Sequence, residues 1–149
     1  MTPTFQIKPF NELSVHEIYK ILQLRSEVFV VEQNCVYQDI DFKDEKALHL
    51  FGNYQGKIVA YARLFKSGDY FDNASIGRVV INADFRDKKW GNILMQKAIE
   101  GILIHFEETK ITISAQLYLQ KFYESHGFVV TSNVYLEDDI EHIEMKRIP

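Results

Sequence analysis

Val79-Val80-Ile81-Asn82-Ala83-Asp84-Phe85-Arg86-Asp87-Lys88-Lys89-Trp90-Gly91-Asn92-Ile93-Leu94-Met95 is the stretch on which the reading of this chain turns. A β-branched run reads as a strand, breaks into a short basic loop, and opens through one glycine into an amphipathic helix. The first N–H groups of a helix lack intrahelical partners and point the same way, with the positive end of the helix dipole behind them. Arg86, Lys88 and Lys89 add charge to that end, so the joint is suited to an anion such as phosphate.

Working outward, the pattern predicts alternating strands and helices. Phe5-Gln6-Ile7-Lys8 alternates as a strand. Ser14 and Glu17 make a capping box, and Val15, Ile18, Tyr19, Leu22, Ser26 and Phe29 recur at helical spacing, which predicts a first helix over residues 15–30. Residues 32–46 have no clean period and read as a structured loop with room for a helical turn. Strands are expected over residues 47–54 and 58–66, joined at Gln55-Gly56-Lys57 as a hairpin, and over residues 75–82. A helix from Trp90 or Gly91 carries Leu94, Met95, Ala98, Ile102 and Phe106 on one face. Residues 110–115 read as a strand, residues 117–126 as a helix stopped by Gly127, and residues 128–133 and 142–148 as closing strands. With no repeat or linker, the chain reads as a single α/β (α+β) domain over residues 1–149.

Composition narrows the function. The chain is 46% hydrophobic and 26% charged, as expected of a globular protein long enough to bury its own core. Its single cysteine, Cys35, excludes an internal disulfide framework and suits a cytoplasmic location. No run approaches the roughly 18 apolar residues of a membrane span, and no signal-peptide layout opens the chain. A net charge of −4 argues against nucleic-acid binding, which needs a basic surface.

Three separated pieces coincide with a known family. Arg86-Asp87-Lys88-Lys89-Trp90-Gly91 resembles the Arg/Gln-x-x-Gly-x-Gly/Ala loop of the GNAT N-acetyltransferases. Phe122-Tyr123-Glu124-Ser125-His126-Gly127-Phe128, after the strand ending at Ala115, resembles the family's Tyr-bearing helix and its closing Gly-Phe. Leu24 to Cys35, with Tyr37-Gln38-Asp39-Ile40-Asp41 and His49, resembles the ElaA-like branch. The resemblance runs from about Leu24 to Arg147 and implies a central mixed sheet, flanked by helices, whose middle strands splay apart around acetyl-CoA. The chain departs from the loop pattern at two places. Lys89 stands at the first glycine position, which is harmless if the backbone there does not need a positive φ. Asp87 places a carboxylate near the expected pyrophosphate, so its side chain is expected to face solvent or pair with a lysine.

The resemblance implies a role for each part. Residues Arg86, Asp87, Lys88, Lys89, Trp90, Gly91 and Asn92 would hold the pyrophosphate, and the main chain of Val79, Val80 and Ile81 would bond the pantetheine arm and polarise the thioester oxygen. Tyr118 and Gln120, a turn before Tyr123, are lesser candidates for lining the cofactor pocket. Trp90 is read either as a stack for adenine or as a staple for the helix start. Tyr123 is the candidate general acid for the departing thiolate, against a packing role beside Phe122 and Phe128. The strand before the loop carries no carboxylate, so the general base falls to Glu32 or His49. Glu32 could equally serve a network with Gln33 or Arg25, and His49 could equally be a buried structural histidine. Arg25, Arg63, Arg78, Asp39, Asp41 and His142 are polar residues in apolar contexts that call for partners. No ligand-spaced histidine pair points to a metal. Glu137-Asp138-Asp139 and Glu141 read as a solvated turn that, beside an acceptor cleft, favours cationic amines.

The expectation is therefore direct transfer of an acetyl group from acetyl-CoA to a primary amine of a small molecule or peptide. The other readings are a non-catalytic acyl-CoA sensor or partner-binding domain, and a tRNA-modifying toxin, which the net charge disfavours. An exposed edge strand near the C-terminus makes a homodimer reasonable.

Overall fold

The computed structural model describes residues 1–149. Eight strands form one sheet: β1 (Thr4–Pro9), β2 (Leu48–Tyr54), β3 (Lys57–Phe65), β4 (Ala74–Ile81), β5 (Ile111–Gln116), β6 (Val129–Val130), β7 (Tyr135–Glu137) and β8 (Ile140–Arg147). They lie in the order β1-β2-β3-β4-β5-β8-β6, with β7 also paired to β8. Every pairing is antiparallel except β4 with β5. That parallel ladder lasts only from Ala74↔Ile111 to Ser75↔Thr112, after which the strands part.

A bulge accompanies the parting. On β3 one residue separates Tyr61 from Arg63, whereas on β4 Arg78 and Val79 separate their partners Gly77 and Val80. Arg78 takes φ 50 to make this possible, and a bulged strand bends and twists away from its neighbour. The expected splayed middle of the sheet is thus present, opened on the C-terminal side of β4 and β5.

Helices cover both faces. Helix α2 (Trp90–Phe106) lays Leu94, Met95, Ala98 and Ile102 against Ala62, Leu64, Ile76 and Ile113 of the strands. Each fully buried aliphatic side chain of this kind contributes about 1.5–3 kcal/mol. A Cβ at Gly101 would lie 2.7 Å from Ile7 Cδ1, so that glycine sets how closely α2 approaches the sheet. On the other face, Ile21, Leu24 and Val28 pack on Phe51, Ile58, Tyr61 and Val80.

The first helix is where sequence and structure part. Helix α1 spans Val15–Arg25, opened by the expected Ser14–Glu17 capping box, but residues Ser26–Glu32 continue as a π-helix. The bonds from Gln33 N to Val28 O (3.1 Å) and from Cys35 N to Val30 O (3.0 Å) mark the wider turn. β-branched Val28, Val30 and Val31 lower the preference of this stretch for a regular α-turn, and of the turn only Val28 is buried.

The segment after it, irregular in sequence, is held by buried ion pairs. Arg25, 0% exposed, reaches Asp39 at 3.0 Å and Asp44 at 2.7 Å. Arg63 reaches Asp41 and Asp44, each at 2.9 Å, and Arg78 reaches Asp39 at 2.7 Å. The expected helical turn is a single 3-10 turn over Asp44–Lys46. At the C-terminal end, the strand expected over residues 128–133 shortens to β6, and the run read as a solvated turn includes the exposed tip of the β7–β8 hairpin. Asp138 and Asp139 take φ 51 and 62 there, as a type I′ turn requires.

Candidate functional site

The divergence of β4 and β5 leaves a cavity of about 390 Å³. Its walls are Val79, Val80 and Ile81 of β4 and Ile113 and Ser114 of β5. The π-helical turn closes one side with Val28, Phe29 and Glu32. Tyr118, Leu119, Phe122 and Tyr123 close another, and Glu137, Ile140 and His142 of the β7–β8 hairpin stand at the far end. A smaller hollow of about 50 Å³ adjoins it at Arg63, Tyr70 and Arg78.

The anion joint lies at one mouth of this cavity. Between β4 and α2 the chain makes a 3-10 turn over Ala83–Lys88, and Lys89 then enters α2 at φ 61 and ψ 25. No side chain caps the start of α2; the Asn92 N–H donates to the Lys89 carbonyl at 3.3 Å, and the N–H groups of Trp90 and Gly91 stay available to an anion. Lys89 adopts the left-handed conformation that glycine favours, so the condition under which the substitution is harmless, a backbone without a positive φ, is not met. An L-residue there costs about 1–2 kcal/mol. Asp87, Lys88 and Lys89 are exposed, and Asp87 makes no ion pair, as expected of a carboxylate turned to solvent.

Arg86 is the clamp of the loop. Its Nε donates to the Ile81 carbonyl at 3.1 Å, and its two terminal nitrogens grip both oxygens of Glu32, Nη2 to Oε1 at 2.8 Å. A bidentate pair of this kind fixes orientation as well as distance. The hydrogen bond to Arg86, against a smaller opposing effect of burial, holds the Glu32 carboxyl below its ordinary pKa. Glu32 therefore lines the cavity but is committed to the loop.

His49 is corrected more strongly. It is fully buried and lies outside the cavity lining. Its Nε2 stands 2.8 Å from the Asp44 carbonyl, which can only accept, so Nε2 carries the proton and Nδ1 accepts from the Tyr61 hydroxyl at 2.7 Å. Burial, aided by Arg25 and Arg63, pushes its pKa down. This is a neutral structural histidine. Trp90 is likewise buried, stacked on Phe85 at 5.3 Å between ring centroids and packed on Tyr54 at 5.0 Å. It staples the helix start and does not line the cavity.

Tyr123 does reach the cavity. It sits on the one-turn helix α3 (Gln120–Glu124), edge-on to Phe122 and Phe128, and its hydroxyl has no partner within the chain. Burial pushes its pKa well up, so the phenol keeps its proton at neutral pH. Gly127, at φ 90, ends this segment and sends Phe128 back into the core. Tyr118 is exposed at the rim.

Sequence reasoning named Glu137 and His142 but missed how the β7–β8 hairpin joins them at the cavity. There Tyr135 lies 2.5 Å from the Ser114 hydroxyl, Ser114 donates to Glu137 at 3.1 Å, and Glu137 stands 3.5 Å from His142 Nε2. The available signal was Asp138-Asp139 as a two-residue hairpin turn between Tyr135-Leu136-Glu137 and Ile140-Glu141-His142. No helix is long and apolar enough to cross a membrane.

Comparison with known proteins agrees with this geometry. The family model for the acetyltransferase (GNAT) domain matches residues 11–148. Protein ElaA of Escherichia coli is 45% identical over 139 residues, covering 92% of this chain and 91% of that protein. Its crystal structure superposes with a TM-score of 0.91, covering 98% of this chain and 99% of that one at 42% identity. A UPF0039 protein of Schizosaccharomyces pombe is 44% identical over 95% of each chain. The crystal structure of an acyl-CoA N-acyltransferase from Pseudomonas aeruginosa matches with a TM-score of 0.93 and 39% identity, covering 99% of this chain and 100% of that one. A sheet parted between β4 and β5, an uncapped helix start at its mouth and these relatives lead to one assignment: the chain belongs to the GNAT acetyltransferase family, an acyl-CoA-dependent acyltransferase fold, in company with ElaA and the UPF0039 proteins.

Proposed function

We propose that the protein transfers an acetyl group from acetyl-CoA directly to a primary amine of a small-molecule or peptidic acceptor. The observation that carries this reading is the cavity of about 390 Å³ between β4 and β5, with uncapped helix N–H groups at one mouth and the unpartnered Tyr123 hydroxyl on its wall. When bound, acetyl-CoA supplies an activated acyl carbon and a thiolate leaving group. The N–H groups from Arg86 to Asn92, with the charge of Lys88 and Lys89, hold the diphosphate. Val79, Val80 and Ile81 hold the pantetheine arm through their main chain, and one of their N–H groups stabilises the oxygen that gains charge. Tyr118 borders the cofactor at the rim. Tyr123, kept protonated by burial, gives its proton to the departing sulfur.

The acceptor end favours cations. Glu137, Asp138, Asp139 and Glu141 gather at the β7–β8 turn, and Glu137 and Asp138 border the cavity. Primary amines protonated at neutral pH suit this wall better than anionic acceptors. The net charge of −4 supports an acceptor other than nucleic acid, and the lone Cys35 supports a reducing cytoplasm. A homodimer through the C-terminal edge strand has a narrow basis, because β6 offers only Val129 and Val130.

A second reading is an acyl-CoA sensor without turnover. It is favoured by the commitment of Glu32 to Arg86 and the burial of His49, which leave neither as a free base. A panel of primary amines, assayed by thiol release from acetyl-CoA, separates the two. Amine-dependent release that falls about 10²–10⁴-fold in Tyr123→Phe, with acetyl-CoA affinity unchanged, supports catalysis. Tight acetyl-CoA binding with no release for any amine supports the sensor.

A further inference from the structure

We infer that the Glu137 carboxylate, positioned by Ser114 and His142, takes the proton from the acceptor amine. The inference rests on the acyl-transfer reading above. It starts from the distribution of carboxylates around the cavity: β4 brings none, Glu32 is gripped by Arg86, and Glu137 is left on the wall formed by the β7–β8 hairpin.

The hydrogen bonds around Glu137 have assignable directions. Ser114 has one proton and gives it to Glu137 Oε1 at 3.1 Å, so the Tyr135 hydroxyl at 2.5 Å must be the donor to Ser114. His142 Nδ1 lies 2.7 Å from the Ile140 carbonyl, which only accepts, so Nδ1 carries a proton and Nε2 faces Glu137 Oε2 at 3.5 Å. The His142 ring is held further by stacking on Tyr135. Oε2 and Nε2 therefore each keep a lone pair, 3.5 Å apart at the edge of the cavity, where either can take a proton.

The other groups facing Glu137 do not compete for that role. Arg78, on β4, is held by Asp39 at 2.7 Å. Tyr70, before β4, borders the same small hollow and is held in its phenol form by burial and then by the Glu137 charge. Asp138, next along the hairpin, is at the exposed turn, where its carbonyl accepts from Cys35 Sγ at 3.3 Å. The Glu137 side chain is 42% exposed, which gives the proton a way out to solvent.

Glu137 takes one proton from the ammonium, leaving a neutral amine. The amine nitrogen forms a bond to the thioester carbonyl carbon as the carbon–sulfur bond breaks. The thiolate takes the Tyr123 proton, and the second proton of the attacking nitrogen returns through solvent to the tyrosinate. Glu137 and Tyr123, both lining one cavity, thus serve the two ends of the transfer.

The test compares the full-length protein and Glu137→Gln, with acetyl-CoA and the best primary alkylamine of the panel, as kcat/KM against pH. At pH 7 the variant is expected to lose about 10²–10³-fold. That loss should shrink roughly tenfold per pH unit as free amine replaces ammonium, with acetyl-CoA affinity unchanged. His142→Gln should show the same pH-dependent pattern with a smaller loss. Wild-type kcat/KM in Glu137→Gln at pH 7, or a loss that stays constant with pH, overturns the assignment while leaving acyl transfer standing. Absence of turnover for every amine with the unmodified protein overturns the transfer reading, and the base assignment with it.

Discussion

Replacing Lys89 with glycine separates two properties that the loop between β4 and α2 combines. Lys89 holds φ 61 at the entry to α2, with its side chain exposed. A non-glycine residue in that conformation costs about 1–2 kcal/mol, whereas glycine costs roughly 0.5–1 kcal/mol through the greater freedom of the unfolded chain. The difference favours Lys89→Gly by about 0.5–1 kcal/mol, a rise of roughly 1–4 °C in Tm for a chain of this size. The lost charge works the other way on the cofactor. One positive charge about 6 Å from a phosphate, in a solvent-exposed setting, contributes roughly 0.7 kcal/mol, about threefold in Kd. Calorimetric melting and titration with acetyl-CoA read the two effects separately. Because the charge effect is screened, the affinity loss should fade between about 0.1 M and about 1 M salt, where the screening length drops from roughly 10 to 3 Å. Lys89→Ala should lose the same affinity without the gain in Tm, since alanine gains nothing from a positive φ. A lower Tm in Lys89→Gly, or an affinity loss that persists at high salt, refutes the reasoning.

Other consequences concern the buried ion pairs. Arg25→Met should destabilise by about 3 kcal/mol, the low end for breaking a buried pair, because Asp39 keeps Arg78 and Asp44 keeps Arg63; urea unfolding checks this, and a stability within 1 kcal/mol of the unmodified protein, roughly the worth of an exposed pair, contradicts it. Acid should also destabilise the fold in a defined window. Burial alone would raise the Asp41 pKa, but Arg63, with the Lys43 N–H and Arg78, overrides it and holds it at about 2, below its usual 3.8. Asp44 is lowered in the same way by Arg25 and Arg63. Groups with depressed folded pKa values contribute stability that is fully present above the unfolded pKa and is lost as pH falls through the folded one. Tm should therefore hold above about pH 4 and fall steeply toward about pH 2, with a shallower fall in Arg63→Met; a flat profile there would contradict the pairing.

How much of this was legible in the sequence follows from the range of the forces involved. Local signals read correctly: the Ser14–Glu17 capping box, the Gln55-Gly56 turn, the amphipathic face of α2 and the Gly127 stop all depend on neighbours within one or two turns. The basic loop between β4 and α2, opening into an uncapped helix start, was legible for the same reason. The commitment of Glu32 to Arg86 joins residues 54 positions apart, and the burial of His49 depends on Asp44 folding back over β2 and β3. Neither can be seen in a periodicity. The π-helical turn hid inside a pattern that suits an α-helix equally well, since a run of valines lowers the preference for an α-turn without fixing what replaces it. Short β7 hid because three residues carry too little alternation, although Asp138-Asp139 marked its turn.

The most direct test of the central claim is a crystal structure of the protein with acetyl-CoA. The diphosphate should rest on the N–H groups between Arg86 and Asn92, and the pantetheine should run along Val79–Ile81. The Tyr123 hydroxyl should stand within roughly 3–3.5 Å of the thioester sulfur, with Glu137 lining the same cavity. Acetyl-CoA bound outside the gap between β4 and β5, or a thioester turned away from Tyr123, would contradict the account.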